Sequence, residues 1–165
     1  MKKIIVAITL LSLLSCSKEE KKSSADFDMF VFSFATDAKT FSIKFTPGDT
    51  VYMKTSPVDY SYSLLSEKKR DSAYAIIKEI KFAEYDTIYT NENIVDGTSF
   101  KFYKTKNDTV NWVYVYENKT PKELYKIADK LIQLQTGQNW VPVKGKQDFG
   151  NLDYVELPNL LNTIN

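Results

Sequence analysis

Cys16 is the only thiol in the 165-residue chain, and there is no histidine. A single cysteine forms no internal disulfide, and without histidine it lacks the usual partner for a thiolate nucleophile or a zinc site. The same absence closes Ser-His-Asp catalysis. The five glycines make no G-x-G-x-x-G or P-loop pattern. Asn91 to Gly97 has its glycine one residue late for a calcium loop, with Val95 at a ligand position. No metal and no cofactor is therefore expected. What remains is carboxylate chemistry, because glycoside hydrolysis needs only two acids. Glu84 with Asp86, or Asp148 with Asp153 and Glu156, supply such groups, although their spacing requires no shared cleft.

Aromatic side chains are the other candidates. Trp112, Tyr114 and Tyr116 alternate along one strand face. Exposed, such rings can stack on sugars; turned inward, they are core beneath the helices, and the apolar neighbours of Trp112 favour core. Trp140 lies in an irregular polar stretch and is the better exposed anchor, with packing over a sheet edge as the plainer reading.

The role of Cys16 follows from what precedes it. Met1-Lys2-Lys3 is cationic, and Ile4 to Leu14 is an apolar run of eleven residues. That is short of the ~20 residues a spanning helix needs and has the order of a secretory leader. Leu13-Leu14-Ser15-Cys16 closes the run and resembles the lipobox of bacterial lipoproteins. The resemblance implies a signal peptide over residues 1–15, cleavage before Cys16, and a thioether-linked diacylglycerol plus an N-acyl chain such as palmitate. Two or more chains hold a protein on a membrane durably where one does not. Lys18, Glu19 and Glu20, directly after Ser17, resemble the signal that sends some lipoproteins to the outer face of the outer membrane. A periplasm-facing position is the alternative. Asp49-Thr50-Val51, Asp86-Thr87-Ile88 and Asp108-Thr109-Val110 resemble a three-residue O-glycosylation signal of exported bacterial proteins. Asp71-Ser72-Ala73 has the same form but is expected on a helix, as the least accessible of the four. An aspartate in a turn followed by a β-branched strand start produces the same triplet without modification.

Residues 16–26 then read as the lipidated cysteine and a charged linker, and residues 27–165 as one domain with an irregular C-terminal segment. Removing Lys2 and Lys3 from 22 basic residues leaves 20 against 21 acidic ones, so there is no basic field for nucleic acid. Aromatics at 14%, mostly tyrosine and phenylalanine, favour strands.

The elements follow from periodicity. Phe30, Phe32 and Phe34 share one face of a strand from Phe27 to Phe34. Phe41, Ile43 and Phe45 alternate in a second strand, and Val51 and Met53 in a third. Thr46-Pro47-Gly48-Asp49 between them is a turn in which glycine takes a positive φ. Tyr60 to Leu64 reads as a short further strand. Ser66 caps a helix from Glu67 to about Lys81, with Ala73, Ile76, Ile77 and Ile80 as its apolar stripe. Phe82 to Asp96 reads mainly as loop, with a strand near Thr87 to Tyr89. Ser99 to Tyr103 and Thr109 to Glu117 form a hairpin across Lys106-Asn107-Asp108. Large side chains on both faces of its second strand mark a central strand, or one covered by a helix on one side and by something else on the other. Thr120-Pro121-Lys122-Glu123 predicts a capping box opening a helix that carries Leu124, Ile127, Ala128, Leu131 and Leu134 and stops at Gly137. The segment after Gln138 is expected to wrap the domain and to end in a helical turn near Leu160.

The expected fold is α+β: an antiparallel sheet, built from a three-strand meander plus a hairpin, with two amphipathic helices on one face. Its element order is similar to that of small envelope lipoprotein domains, a likeness that transfers no activity. The expected function is a lipid-anchored, non-catalytic interaction domain for a protein or glycan. A carboxylate glycan hydrolase and an inhibitor or immunity-type protein presenting the Glu84 to Gly97 loop are the alternatives.

Overall fold

The structure is a computed structural model and describes residues 24–90, 97–116 and 120–152. Within them the chain runs β1 (Met29–Ala35), β2 (Thr40–Phe45), β3 (Thr50–Lys54), β4 (Tyr60–Leu64), α1 (Glu67–Lys78), a 3-10 turn (Phe82–Glu84), β5 (Ile88–Thr90), β6 (Ser99–Lys106), β7 (Thr109–Tyr116), α2 (Lys122–Thr136) and β8 (Val141–Pro142). This is an α+β fold. The eight strands form one sheet in the order β5-β7-β6-β1-β2-β3-β4-β8. All neighbours are antiparallel except β5, which runs parallel to β7. Among the described residues no helix is long and apolar enough to cross a membrane.

Strand pleat decides which side chains meet. Because successive residues point to opposite faces, Phe30, Phe32 and Phe34 line one face of β1. The register sets Phe45, Ile43 and Phe41 beside them on β2. On the other flank Phe32 pairs with Phe102 and Phe34 with Phe100 of β6, and those in turn face Val113 and Val115 of β7. Ala73, Tyr74 and Ile77 of α1, with Leu124, Ile127, Ala128 and Leu131 of α2, are buried in the same cluster. Phe32 stacks on Phe102 with centroids 5.5 Å apart and meets Phe41 edge-on at 6.1 Å. At roughly 1.5–3 kcal/mol per fully buried Phe, this layer is the main stabilising term.

Local chemistry shapes the joints. Asn107 and Asp108 have φ of 47° and 62°; positive φ at both central residues is the mark of a type I′ hairpin, so the turn is these two residues and β6 extends to Lys106. Gly48 takes φ of 127° in the β2–β3 turn, as expected of a glycine there. Tyr74 fixes that turn from α1: its hydroxyl accepts from the Gly48 N–H at 2.9 Å and lies 3.1 Å from the Thr46 carbonyl. Sequence periodicity missed Tyr74, because the hydroxyl hides an inward-facing ring. Ser66 caps α1 by accepting from the Lys69 N–H at 3.4 Å.

Several boundaries differ from expectation. The first strand is shifted to Met29–Ala35, and Phe27 instead packs edge-on against Tyr74 at 5.2 Å. Helix α1 ends at Lys78 because the N–H groups of Glu79 and Ile80 bond three residues back, a tightening that turns Ile80 into the core. The capping box at Thr120 is absent. Pro121 occupies the N-cap with no side-chain hydrogen bond, and the Thr120 hydroxyl is buried with no partner among the described residues. With the first helical residue one step later, Thr120 lies outside the position from which a hydroxyl reaches the orphan N–H groups. Gly137 does end α2, but at φ of −90° rather than through a left-handed cap. The helical turn near Leu160 and residues 91–96 lie outside the described residues. Tyr74→Phe should lower unfolding stability by about 1–2 kcal/mol, since it leaves the Gly48 N–H without its acceptor; urea denaturation measures it, with an unchanged midpoint as the contrary result.

Candidate ligand cleft at the sheet edge

Sequence placed Trp140 in an irregular segment; the structure makes it a wall. Between Gly137 and β8 the chain turns back across the edge of the sheet. The Trp140 indole N–H donates to the Gln135 carbonyl at 3.2 Å, and the half-buried ring packs against the main core. Val141 then pairs with Tyr62 and Pro142 with Ser61, and the Val143 N–H bonds the Tyr60 carbonyl at 2.9 Å. Proline is tolerated here because β8 is an edge strand.

The opposite wall is the β3–β4 connection. Ser56 Oγ donates to Asp59 Oδ2 at 2.6 Å and accepts from the N–H groups of Asp59 and Val58 at 3.1 and 3.3 Å. Tyr60 donates its hydroxyl to the Pro57 carbonyl at 3.0 Å. These bonds hold a short loop in one shape, leaving Val58 80% exposed. Between the walls lies an open cleft of about 370 Å³ lined by Thr55, Val58, Asp59, Ser61, Trp140 and Val143, among others. It offers a ring, an exposed carboxylate, two hydroxyls and an apolar rim, a composition suited to a polyhydroxylated ligand with apolar faces.

A larger groove of about 540 Å³ runs between α1 and α2. Its charges are already satisfied: Lys130 pairs with Glu79 at 2.7 Å, and Lys69 donates to the Gly137 carbonyl at 2.8 Å. With no aromatic ring and its cations engaged, it offers a ligand less than the smaller cleft does.

The remaining aromatic candidates go elsewhere. Trp112, Tyr114 and Tyr116 form neither an open row nor core beneath the helices. Val113 and Val115 take the helix-covered face, so the strand's period of two sends the three rings to the other side. There the segment 143–152 crosses the sheet as a strap. Phe149 is buried with Val31, Tyr60 and Tyr103, and Trp112 packs against this second cluster. Tyr114 is buried and Tyr116 half-buried; burial pushes the Tyr114 hydroxyl pKa up, against a hydrogen bond from Ser99. Gly150 lets the strap lie this close, because a Cβ there would stand 2.5 Å from Tyr103 Cε1, at a φ of 66°.

Two buried lysines sit on that face. Lys101, 2% exposed, donates to the Asn151 carbonyl at 3.0 Å and lies 4.8 Å from the Trp112 ring. Lys44, 7% exposed, has its ammonium 4.5 Å from the Tyr52 ring and 5.3 Å from that of Phe149. Burial lowers the Lys44 pKa, opposed by the charge of Asp148. Charge of this kind is invisible in the sequence, where Lys44 reads as the solvent side of an alternating strand.

Other site residues are placed as follows. Glu84 pairs with Lys81 at 3.2 Å, and Asp86 is exposed. Asp148 accepts from the Gly150 N–H at 2.8 Å. Among the described residues no group of acids could hold a metal. Thr87 and Thr109 are exposed, and Thr50 is half-buried. Ser72, expected to be the least accessible, is exposed on α1. Asp49 and Asp71, which begin two of the four triplets, both bind Arg70, at 2.8 and 2.9 Å. Cys16, Lys18, Glu19, Glu20, Asp153 and Glu156 lie outside the described residues.

No known protein family matches the chain, and no curated protein is similar enough to match it.

Lys44 makes the strap face pH-sensitive in a definite direction. The titratable groups beside it are Tyr52 on β3 and Asp148 on the strap. With its folded pKa below the ordinary 10.5, the folded chain holds the proton less tightly than the unfolded chain. The resulting stability is present above pH 10.5 and lost as pH falls through the folded pKa. Lys44→Met should therefore raise the thermal midpoint at pH 7, by an increment that shrinks toward pH 10.5. A destabilised variant, or an increment independent of pH, is the contrary result.

Proposed function

We propose that the chain is a lipid-anchored cell-envelope lipoprotein, carried on the outer face of the outer membrane, whose domain binds a glycan at the sheet-edge cleft without catalysis. The observation that carries the binding half is the pairing of the Trp140 ring with the Asp59 carboxylate and the Thr55 and Ser61 hydroxyls around one open cleft. Sugars present apolar C–H faces and a rim of hydroxyls, and this cleft has a counterpart for each. The anchoring half rests on Cys16 at the end of its apolar leader and on Lys18, Glu19 and Glu20 after it. In this reading the two amphipathic helices cover one face of a sheet begun by the three-strand meander, and the opposite end of that meander presents the cleft. A protein ligand is the second reading, favoured by the exposure of Val58 at 80% on the cleft rim.

Trp140→Ala should abolish retention on immobilised envelope polysaccharide while leaving the far-UV spectrum unchanged. Retention equal to that of the wild type removes the glycan reading. Cys16→Ser should end incorporation of labelled palmitate and shift the protein from the detergent to the aqueous phase; palmitate uptake equal to that of the wild type contradicts the anchor.

A further inference from the structure

Strand register brings two exposed apolar side chains, Leu64 at 66% and Val110 at 50%, to the two ends of one row. Val110 of β7 pairs with Thr105 of β6, and Thr105 with Met29 of β1. On the other flank Thr50 of β3 pairs with Leu64 of β4. One position further along, Phe30, Phe45 and Val51 are cross-strand partners, so Met29 and Thr50 stand level. Val110, Thr105, Met29, Thr50 and Leu64 therefore cross the end of the strap face as a row without a charged side chain. The next row on this face, with Val31 and Tyr103, is the one that Phe149 covers.

The chain enters the domain at this same end. The Asp28 N–H bonds the Thr105 carbonyl at 2.8 Å, and the Asp28 carboxylate accepts from the Asn107 N–H at 2.7 Å. Asp26 pairs with Lys104 at 3.1 Å and with Lys106. These bonds hold the entering segment along β6 and neutralise charge beside the row. Seven residues, 17–23, separate Ser24 from Cys16, and a chain of that length reaches at most about 28 Å. Acyl chains on Cys16 thus keep this end of the sheet within that reach of a bilayer.

We propose that the row from Val110 to Leu64 rests on the membrane surface, its apolar side chains at the boundary between lipid headgroups and acyl chains. The inference rests on lipid attachment at Cys16. The tether supplies a high local concentration of lipid, so a few small apolar contacts suffice where they would not hold a free protein. The orientation of the cleft follows. The Thr55 to Asp59 loop leaves the sheet past the Lys54–Tyr60 pair, four residues along β4 from Leu64. The cleft therefore faces away from the membrane, with its rim about 13 Å farther out.

Nitroxide labels on Val110→Cys, Leu64→Cys and Val58→Cys test this in the full-length lipidated protein, held in phosphatidylethanolamine–phosphatidylglycerol vesicles. With Cys16 acylated, the introduced thiol is the one that takes the label. An aqueous nickel chelate should relax the labels at 110 and 64 several-fold less than the label at 58. Equal nickel access at all three overturns the proposal. Flotation of the same vesicles reads the anchor separately: equal access on protein that floats removes the docking alone, whereas protein that stays at the bottom removes the lipid attachment and the docking with it. Where a label disturbs the fold, amide exchange of the wild-type protein decides. Residues 107–110 should exchange several-fold more slowly on vesicles than in the unlipidated Cys16→Ser protein, and an unchanged rate is equally contrary.

Discussion

The pairing of β1 with β6 is the constraint on which the remainder of the molecule depends. β1 to β4 form a local meander, and β6 with β7 a local hairpin; each closes over a short turn. Only the seven-residue register from Met29–Thr105 to Ala35–Ser99 joins them into one sheet. Bringing together segments about seventy residues apart costs closure entropy that grows slowly with length, and the Phe32–Phe102 stack at the middle of the ladder offsets it. Both helices depend on that joint. α1 follows the meander and α2 follows the hairpin, yet their buried residues share one cluster that exists only once the two halves are side by side.

The same joint assembles the strap face. Val31, Lys44 and Tyr52 come from β1, β2 and β3, and Lys101, Tyr103 and Trp112 from the hairpin. Phe149 is buried with Val31 and Tyr103, which face each other across this seam, and meets Tyr60 at 6.1 Å and the Lys44 ammonium at 5.3 Å. One layer packs Phe32, Phe102 and their neighbours with buried residues of α1 and α2, and the other packs the irregular segment 143–152 over two buried strand lysines, Lys44 of β2 and Lys101 of β6. Hydrophobic burial suffices to explain the first layer. The second combines rings with ammonium groups, and a desolvated ammonium costs stability unless something compensates it.

Legibility in the sequence divided along the same line. The helix-facing layer was readable because its residues are apolar and spaced by two or by three and four: Phe30, Phe32, Ile43, Ile77 and Leu131 are all core. The hairpin turn was readable from Asn107-Asp108, whose side chains tolerate positive φ. Trp140 was legible as a ring packed at a sheet edge, though not the wall it forms with Asp59, some eighty residues earlier, since only the β4–β8 pairing brings them together. The strap face was legible only in part, from the large side chains on both faces of β7 and from the expected wrapping of the segment after Gln138. Its residues alternate as Lys44, Tyr52, Lys101 and Tyr103, a pattern that reads as solvent-facing, and the covering Phe149 stands alone among polar neighbours. Nor did Thr120 betray its failure to cap, because the triplet with Pro121 and Glu123 is locally correct and only the actual start of α2, at Lys122, removes the hydroxyl from reach.

A membrane-tethered domain that holds a sugar at a sheet edge would present the cleft away from its own fold, on the β4–β8 side, where the loop from Thr55 to Asp59 and the Trp140 ring are both fixed by internal hydrogen bonds before any ligand arrives. Preorganisation of this kind favours binding by cutting the ordering cost. Proton–nitrogen correlation spectra during titration with envelope oligosaccharide test this most directly, because the chain has two tryptophans and therefore two indole N–H signals. Saturable shifts confined to the Trp140 indole and the backbone of residues 55–61 are the result the cleft requires. Shifts that instead gather in the groove between α1 and α2, or no shift at saturating sugar, would contradict it.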